Sequence, residues 1–238
     1  MPPIVQARNL TYIYPDGHQA LCDVTLEIAE GEKVGLVGDN GAGKSTLLLH
    51  LNGILRGKGS IRIDGLDLCD DTLRAIRGKV GLVFQDPDDQ LFSPTVFDDV
   101  AFGPLNMGLS EVEVIERAKW ALEQVQMSRY ARRMPHHLSL GEKKRVAIAT
   151  VLSMQPTILA LDEPSSGLDP HARANLKALL KGLPQTMLIA SHDLEFVQEL
   201  CTRAVVLEQG RVVADMPIDG YGIEEAYLAL RPVGSRLA

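Results

Sequence analysis

Two stretches of this chain have the residue types and spacing for phosphate chemistry. The first is Gly38 to Thr46, G-D-N-G-A-G-K-S-T. It fits G-x-x-x-x-G-K-[ST], with Gly38, Gly43, Lys44 and Ser45 in the fixed places. Gly38, Gly41 and Gly43 let the backbone curl round a phosphate with no Cβ in the way. The free N–H groups and the dipole of a helix start then favour negative charge. Lys44 would reach the β- and γ-phosphates, Ser45 would ligate Mg²⁺, and Thr46 would add a hydroxyl near the α-phosphate. The second stretch is Asp162-Glu163. Asp162 would hold Mg²⁺ through its water shell, and Glu163 would polarise the attacking water as general base. Alone, such a pair often just ends a strand. Downstream of a phosphate loop it reads as catalytic.

His192, Tyr14 and the pair His136-His137 are further candidates. His192 could contact a γ-phosphate, although a lone His is more often structural. Tyr14 could stack on a nucleotide base, whereas Tyr12 reads as sheet packing. His136-His137 reads as structural, because adjacent side chains rarely share one ion and no third ligand is evident.

Each candidate needs an element to hold it. Lys33 to Val37 is an apolar strand leading into the Gly-rich loop, and Leu47 to Leu51 begins a helix. Val80 to Phe84, Thr157 to Leu161 and Thr186 to Ala190 are buried-strand runs of the kind found in parallel sheets. They deliver Gln85, Asp162-Glu163 and Ser191-His192, at strand ends where open α/β sheets bind ligands. Ile4 to Leu10, Leu21 to Ala29 and Gly59 to Asp64 read as further strands. Asp64-Gly65 is a hairpin-type turn, and Glu208-Gln209-Gly210 links a second hairpin. Ser110 to Met127 reads as an amphipathic helix on the stripe Ile115, Ala118, Leu122 and Val125, with Trp120 off it. Ser139 and Glu142 form a capping box for a helix running to about Ser153. Lys143, Lys144 and Arg145 follow in its first turns, where they oppose the dipole, so they are expected to serve a nearby anion or acidic surface. Asp169 and Pro170 start a helix to about Lys181.

From Val80 to Glu116 there is no Lys or Arg, while eight acidic residues and four of the five phenylalanines fall there. This is either a patch for a basic, partly apolar partner or a solvated face over a small Phe core. The 238 residues carry a net charge of −7, which argues against nucleic acid as a partner. Three scattered cysteines fit a reducing compartment. No signal peptide is evident at the N-terminus, and no apolar run approaches the roughly 20 residues a bilayer needs, so any membrane part belongs to another chain.

Taken together, these residues resemble the ATP-binding cassette (ABC) ATPase family over nearly the whole chain. Gly38 to Thr46 resembles the Walker A loop, in which Asn40 also faces nucleotide. Gln85 resembles the Q-loop glutamine. L-S-L-G-E at Leu138 to Glu142 resembles the family signature, whose usual form is L-S-G-G-Q. Ile158 to Glu163 resembles Walker B, Ser166 to Asp169 the D-loop, and His192 the switch histidine. The resemblance implies an α/β fold. A P-loop NTPase (RecA-like) core would carry an N-terminal antiparallel β subdomain and an inserted α-helical subdomain, divided as 1–86, 87–144 and 145–238. It implies ATP and Mg²⁺ as ligands, with Gln85 joining the Mg²⁺ site. It also implies a head-to-tail homodimer in which Ser139 and Gly141 of one copy close on ATP bound to the other.

Phe84 to Phe92, Asp99 to Pro104 and L-S-L-G-E-K-K-R-V-A-I-A are similar to energy-coupling-factor importer ATPases, most of all the cobalt or nickel ones. This implies an ATPase on the cytoplasmic face of the bacterial cell membrane. It would serve an integral membrane coupling subunit and a substrate-binding membrane subunit, and would dock the former in the acidic, Phe-rich segment. An importer for biotin or another vitamin, a soluble non-transport ATPase of the superfamily, and a nucleotide-sensing module remain as alternatives. The tail from Tyr221 carries no readable function.

Overall fold

A strand that is apolar at every position can only sit in a sheet covered on both faces, and the centre of this molecule is such a sheet. The computed structural model describes residues 3–218; the tail from Tyr221 lies outside them. The strands are β1 (Val5–Ile13), β2 (Gln19–Ile28), β3 (Lys33–Val37), β4 (Lys58–Ile63), β5 (Leu66–Asp67), β6 (Val80–Val83), β7 (Ile158–Asp162), β8 (Thr186–Ala190), β9 (Arg203–Glu208) and β10 (Arg211–Pro217). One sheet runs β10-β9-β3-β8-β7-β6, parallel except for β10. Alternate residues feed two cores. Val34, Leu36, Ile158, Ala160, Leu188 and Ala190 join one. Val37, Leu159, Leu161, Met187 and Ile189 join the other. The second sheet, β2-β1-β4-β5, is antiparallel and packs on the first of these cores. Both expected hairpins form. Asp64-Gly65 has φ of 47° and 77°, and Gln209-Gly210 has 46° and 75°, as two-residue turns with the twist of the flanking strands require.

The helices are α1 (Lys44–Leu51), α2 (Leu73–Lys79), α3 (Val96–Met107), α4 (Glu111–Gln124), α5 (Leu140–Leu152), α6 (Pro170–Gly182) and α7 (Leu194–Leu200). Capping predicted the starts of α5 and α6: Ser139 and Asp169 accept the Glu142 and Ala172 N–H groups. Sequence reasoning missed α2, α3 and α7. In α3, Gly103 and Pro104 read as breakers. Packing overrides them: a Cβ at Gly103 would stand 2.6 Å from the side chain of Met154, just beyond the end of α5, so glycine lets the helix approach there. The α4 stripe holds at Ala118, Leu122 and Val125, and Val114 takes the place expected of Ile115. Val114, Ala118, Ala121, Leu122 and Val125 are buried, and Ile115 sits at the margin.

Of the eight acidic residues in the segment only Asp99 is buried, while some of the exposed ones hold partners within the chain. Asp98 is engaged by Thr95 at the α3 N-cap, and Asp88 pairs with Lys143 at 2.7 Å. Asp99 is 2 % exposed and accepts the N–H groups of Phe92 and Ser93 at 3.1 and 2.8 Å. Replacing Asp99 by Ala should therefore cost about 2 kcal/mol, read as a lower urea midpoint at unchanged slope. An unchanged midpoint would show that the 92–93 loop does not rest on this carboxylate.

Candidate active site

The order β9-β3-β8 places β3 where the connections leave in opposite directions, and crevices form beyond such strand ends. There the chain after β3 turns through Gly38 to Gly43 into α1. Gly43 is the N-cap of α1 with φ 105° and contributes no side-chain cap, which leaves the first-turn N–H groups for an anion. A Cβ on Gly43 would lie 2.4 Å from the Ala20 carbonyl oxygen. Lys44 is buried beneath the loop. Its ammonium donates to the carbonyls of Gly38 and Asp39 at 2.8 and 3.1 Å, and lies 3.7 Å from Glu163 Oε1.

A cleft of about 610 Å³ opens above this loop. It gathers Tyr14, Asn40, Gly41, Gly43, Lys44, Ser45, Thr46, Gln85, Glu163 and His192. Gly38 is buried beneath its floor. At the lip, the Tyr14 hydroxyl shares a hydrogen bond of 3.1 Å with Thr46 Oγ1, and its ring stacks loosely on His18. His18, Ala20 and Ser166 complete the lining. Ser166 opens the stretch that resembles the D-loop, whereas His18 and Ala20 carry no sequence signal, because a loop distant in sequence brings them in.

Glu163 is 5 % exposed, and its backbone adopts a left-handed φ of 42°. Its Oε2 accepts from Ser191 Oγ and the His192 N–H, both at 3.3 Å, and lies 2.9 Å from His192 Nδ1. Its Oε1 is buried with no hydrogen-bond partner. Such an acceptor, facing a polar cleft, can take a proton from water. Asp162 Oδ1 is likewise buried without a partner. Burial raises the Asp162 carboxyl above its ordinary pKa, against a hydrogen bond from Ser45 that lowers it. An orphaned carboxylate oxygen beside a hydroxyl suits a hard, oxygen-binding cation such as Mg²⁺.

Ser139 and Gly141 are absent from the cleft lining. They start α5, where Glu142 Oε2 accepts the Ser139 N–H and hydroxyl at 2.9 and 3.1 Å. Burial pushes the Glu142 carboxyl up, but hydrogen bonds from the Tyr130 hydroxyl and Ser139 outweigh it and hold the pKa below the usual range. Leu140 packs against Gly167: a Cβ there would be 3.0 Å from its Cδ2. The two departures from the usual signature thus have partners within this chain.

The ABC transporter family profile matches residues 21–166. The chain belongs to this family. It is an ABC ATPase and binds ATP. The energy-coupling factor transporter ATP-binding protein EcfA of Methanothermobacter thermautotrophicus is 52 % identical over 218 residues, 89 % of this chain and 70 % of the relative. The EcfA protein of Carboxydothermus hydrogenoformans is 50 % identical over 215 residues, 89 % and 80 % of the two chains. Among solved structures, cbiO1 from Clostridium perfringens, described as part of the ABC transporter complex cbiONQ, superposes with a TM-score of 0.84. It shares 38 % identity, over 96 % of this chain and 94 % of that one. The cassette MJ0796, in a dimeric post-hydrolysis state bound to ADP and Pi, gives 0.81 at 31 % identity, over 91 % and 100 %.

Gly43 tests the phosphate cradle of this ATPase. Gly43→Ala should weaken ATP binding by about tenfold or more, measured by equilibrium titration with a fluorescent nucleotide. Undiminished affinity would mean that the loop tolerates a side chain against Ala20 and is not the cradle.

Proposed function

We propose that this chain is the ATP-hydrolysing subunit of an energy-coupling-factor importer, and that it works as a head-to-tail pair at the cytoplasmic face of the cell membrane. The observation that carries the two-copy reading is the split of the motifs. Lys44, Gln85, Glu163 and His192 line one cleft, while Ser139 and Gly141 stand outside it at the start of α5. A second copy can supply the missing pair, and one kind of chain can complete two equal sites.

The chemistry follows from the buried carboxylates. Glu163 Oε1 takes the proton of a water whose oxygen attacks the γ-phosphorus as the bond to the ADP oxygen breaks. Ser191 and His192 hold Oε2, so the carboxylate enters the reaction already oriented. Lys44 contacts the phosphates, and Tyr14 offers a partly buried ring at the base end. Mg²⁺, held by Ser45, Asp162 and Gln85, would neutralise charge on the phosphate oxygens.

A groove of about 570 Å³ lies between α2, α3 and α5, lined by Phe92, Phe102, Met107, Asp89, Arg74 and Met154 among others. Phe92 and Phe102 meet edge to face at 5.0 Å and are 68 % and 47 % exposed. Its charge is mixed, with Asp70 and Asp89 against Arg74 and Arg77. The anchor for a cytoplasmic helix of the membrane subunit is therefore aromatic, not purely acidic. No helix among the described residues is long and apolar enough to cross a membrane, in keeping with a separate membrane subunit. The cargo is read as a transition-metal ion, cobalt or nickel, supported by likeness to cobalt and nickel transport ATPases and to cbiO1.

Glu163→Gln should lower turnover by about a hundredfold or more and accumulate an ATP-dependent dimer in size-exclusion chromatography. Adding Ser139→Arg should abolish that dimer while each copy still binds ATP. Normal turnover would remove Glu163 as the base, and a dimer surviving Ser139→Arg would overturn the sandwich. Tagged Glu163→Gln chain, trapped with ATP, should co-purify with a multispanning subunit and a small substrate-binding membrane protein. Adding Phe102→Asp should lose both. Recovery of soluble partners alone would sink the transport reading, and a vitamin-binding small subunit would replace the metal cargo.

A further inference from the structure

Among the described residues two lysines are buried, Lys44 and Lys144. Phosphate binding accounts for the first and leaves the second without a role. Lys144 is 5 % exposed and forms no ion pair. Its ammonium donates to two main-chain carbonyls, those of Glu163 at 2.9 Å and Gln85 at 3.2 Å. Burial lowers its pKa, against the more distant pull of Glu163, Asp86 and Asp162. A buried ammonium is costly, and an apolar side chain of equal length would fill the same space more cheaply. What it supplies is a hydrogen-bonding fork between two residues that line the hydrolysis cleft.

The Glu163 backbone needs such a fork. Its φ of 42° is uncommon for a residue with a bulky side chain and persists only when neighbours over-determine it. Its N–H donates to the Ala190 carbonyl at 2.9 Å, and its own carbonyl accepts from Lys144. Both sides of the turn are pinned, and the side chain is thereby aimed at Ser191 and His192. The same face of α5 is fastened to the segment around Gln85. Lys143 pairs with Asp88, and Gln90 Nε2 donates to Ala147 O and Thr150 Oγ1 at 2.8 and 2.7 Å. Gln90 Oε1 in turn accepts the Phe84 N–H at 3.1 Å. Ser139 and Gly141 sit at the beginning of that helix, within about a turn and a half of Lys144.

We propose that Lys144 is a positioning residue that holds the main chains of Gln85 and Glu163 in register with the start of α5. What Ser139 and Gly141 engage is thereby transmitted to the water-activating carboxylate of the same copy. The second part rests on the two-copy reading; the first part does not.

The test is Lys144→Met in the full chain, which keeps the stem and removes the donors. ATP affinity and KM should stay within about twofold while kcat falls by about 10- to 100-fold. The melting temperature reads only the balance between a buried charge removed and two carbonyls left without their donor, so kcat is the deciding quantity. Cooperativity of hydrolysis in ATP should fall towards a Hill coefficient of about 1. A merely structural lysine gives a different pattern: a changed melting temperature with normal kcat per folded molecule. That result, or wild-type kcat with a wild-type Hill coefficient, overturns the inference. If the Met chain does not fold, Lys144→Gln decides, since its amide retains a donor. Partial kcat at unchanged affinity supports positioning, and normal kcat ends it. A Glu163→Gln chain that fails to dimerise with ATP removes the two-copy reading alone, leaving the kcat result to judge Lys144. A dimer that forms normally beside an unaffected Lys144→Met kcat removes only this inference.

Discussion

A carboxylate buried at the end of an apolar sheet must find hydrogen bonds or a cation, and much of this molecule is arranged around meeting that demand for Glu163. Its side chain draws Ser191 and His192 from the end of β8 and faces Lys44 from the start of α1. Its main chain draws Lys144 from α5. Three segments distant in sequence therefore converge on one residue. They can do so because β3, β7 and β8 are neighbours that run in the same direction and end at the same edge. The parallel sheet supplies the edge, and the two cores that bury its faces keep that edge rigid.

Not every polar group at the edge is satisfied. One oxygen of Asp162 and one of Glu163 remain buried without a hydrogen bond. Among the described residues His50 Nε2, Asp99 Oδ2 and Gln185 Oε1 share that lack, but only the Asp162 and Glu163 oxygens stand at the end of β7 beside the phosphate loop, where chemistry is expected. The free oxygens sit beside the Ser45 hydroxyl and the Lys44 ammonium, within reach of a cation and a water respectively.

The part of the chain between Gln85 and Ser139 is built by different rules. Its helices pack on one another and on α5, and α3 carries a Gly-Pro pair that local propensity would reject. Glycine lets the helix approach Met154 there, and Thr95 and Gly108 close the two ends. Three of its acidic residues, which look like part of one patch in sequence, are divided among a helix cap (Asp98), a loop anchor (Asp99) and an ion pair with Lys143 (Asp88). Two phenylalanines are left facing solvent across a groove, and this exposed aromatic pair is the part of the segment suited to a partner.

The loop Gly38 to Thr46, the Asp162-Glu163 pair, the capping boxes and the two-residue hairpins were legible in the sequence. Each rests on short-range geometry: fixed spacing, a glycine where φ is positive, or an oxygen three residues before a free N–H. Strand runs were legible too, because a sheet buried on both faces leaves unbroken apolar stretches. Tertiary structure alone decided which ends meet. It brought His18 and Ser166 to the cleft, kept Ser139 and Gly141 outside it, turned Asp99 inward, and sent Lys144 to two carbonyls. Those outcomes depend on the order of strands and the packing of helices, set by contacts between residues far apart in sequence that no local pattern records.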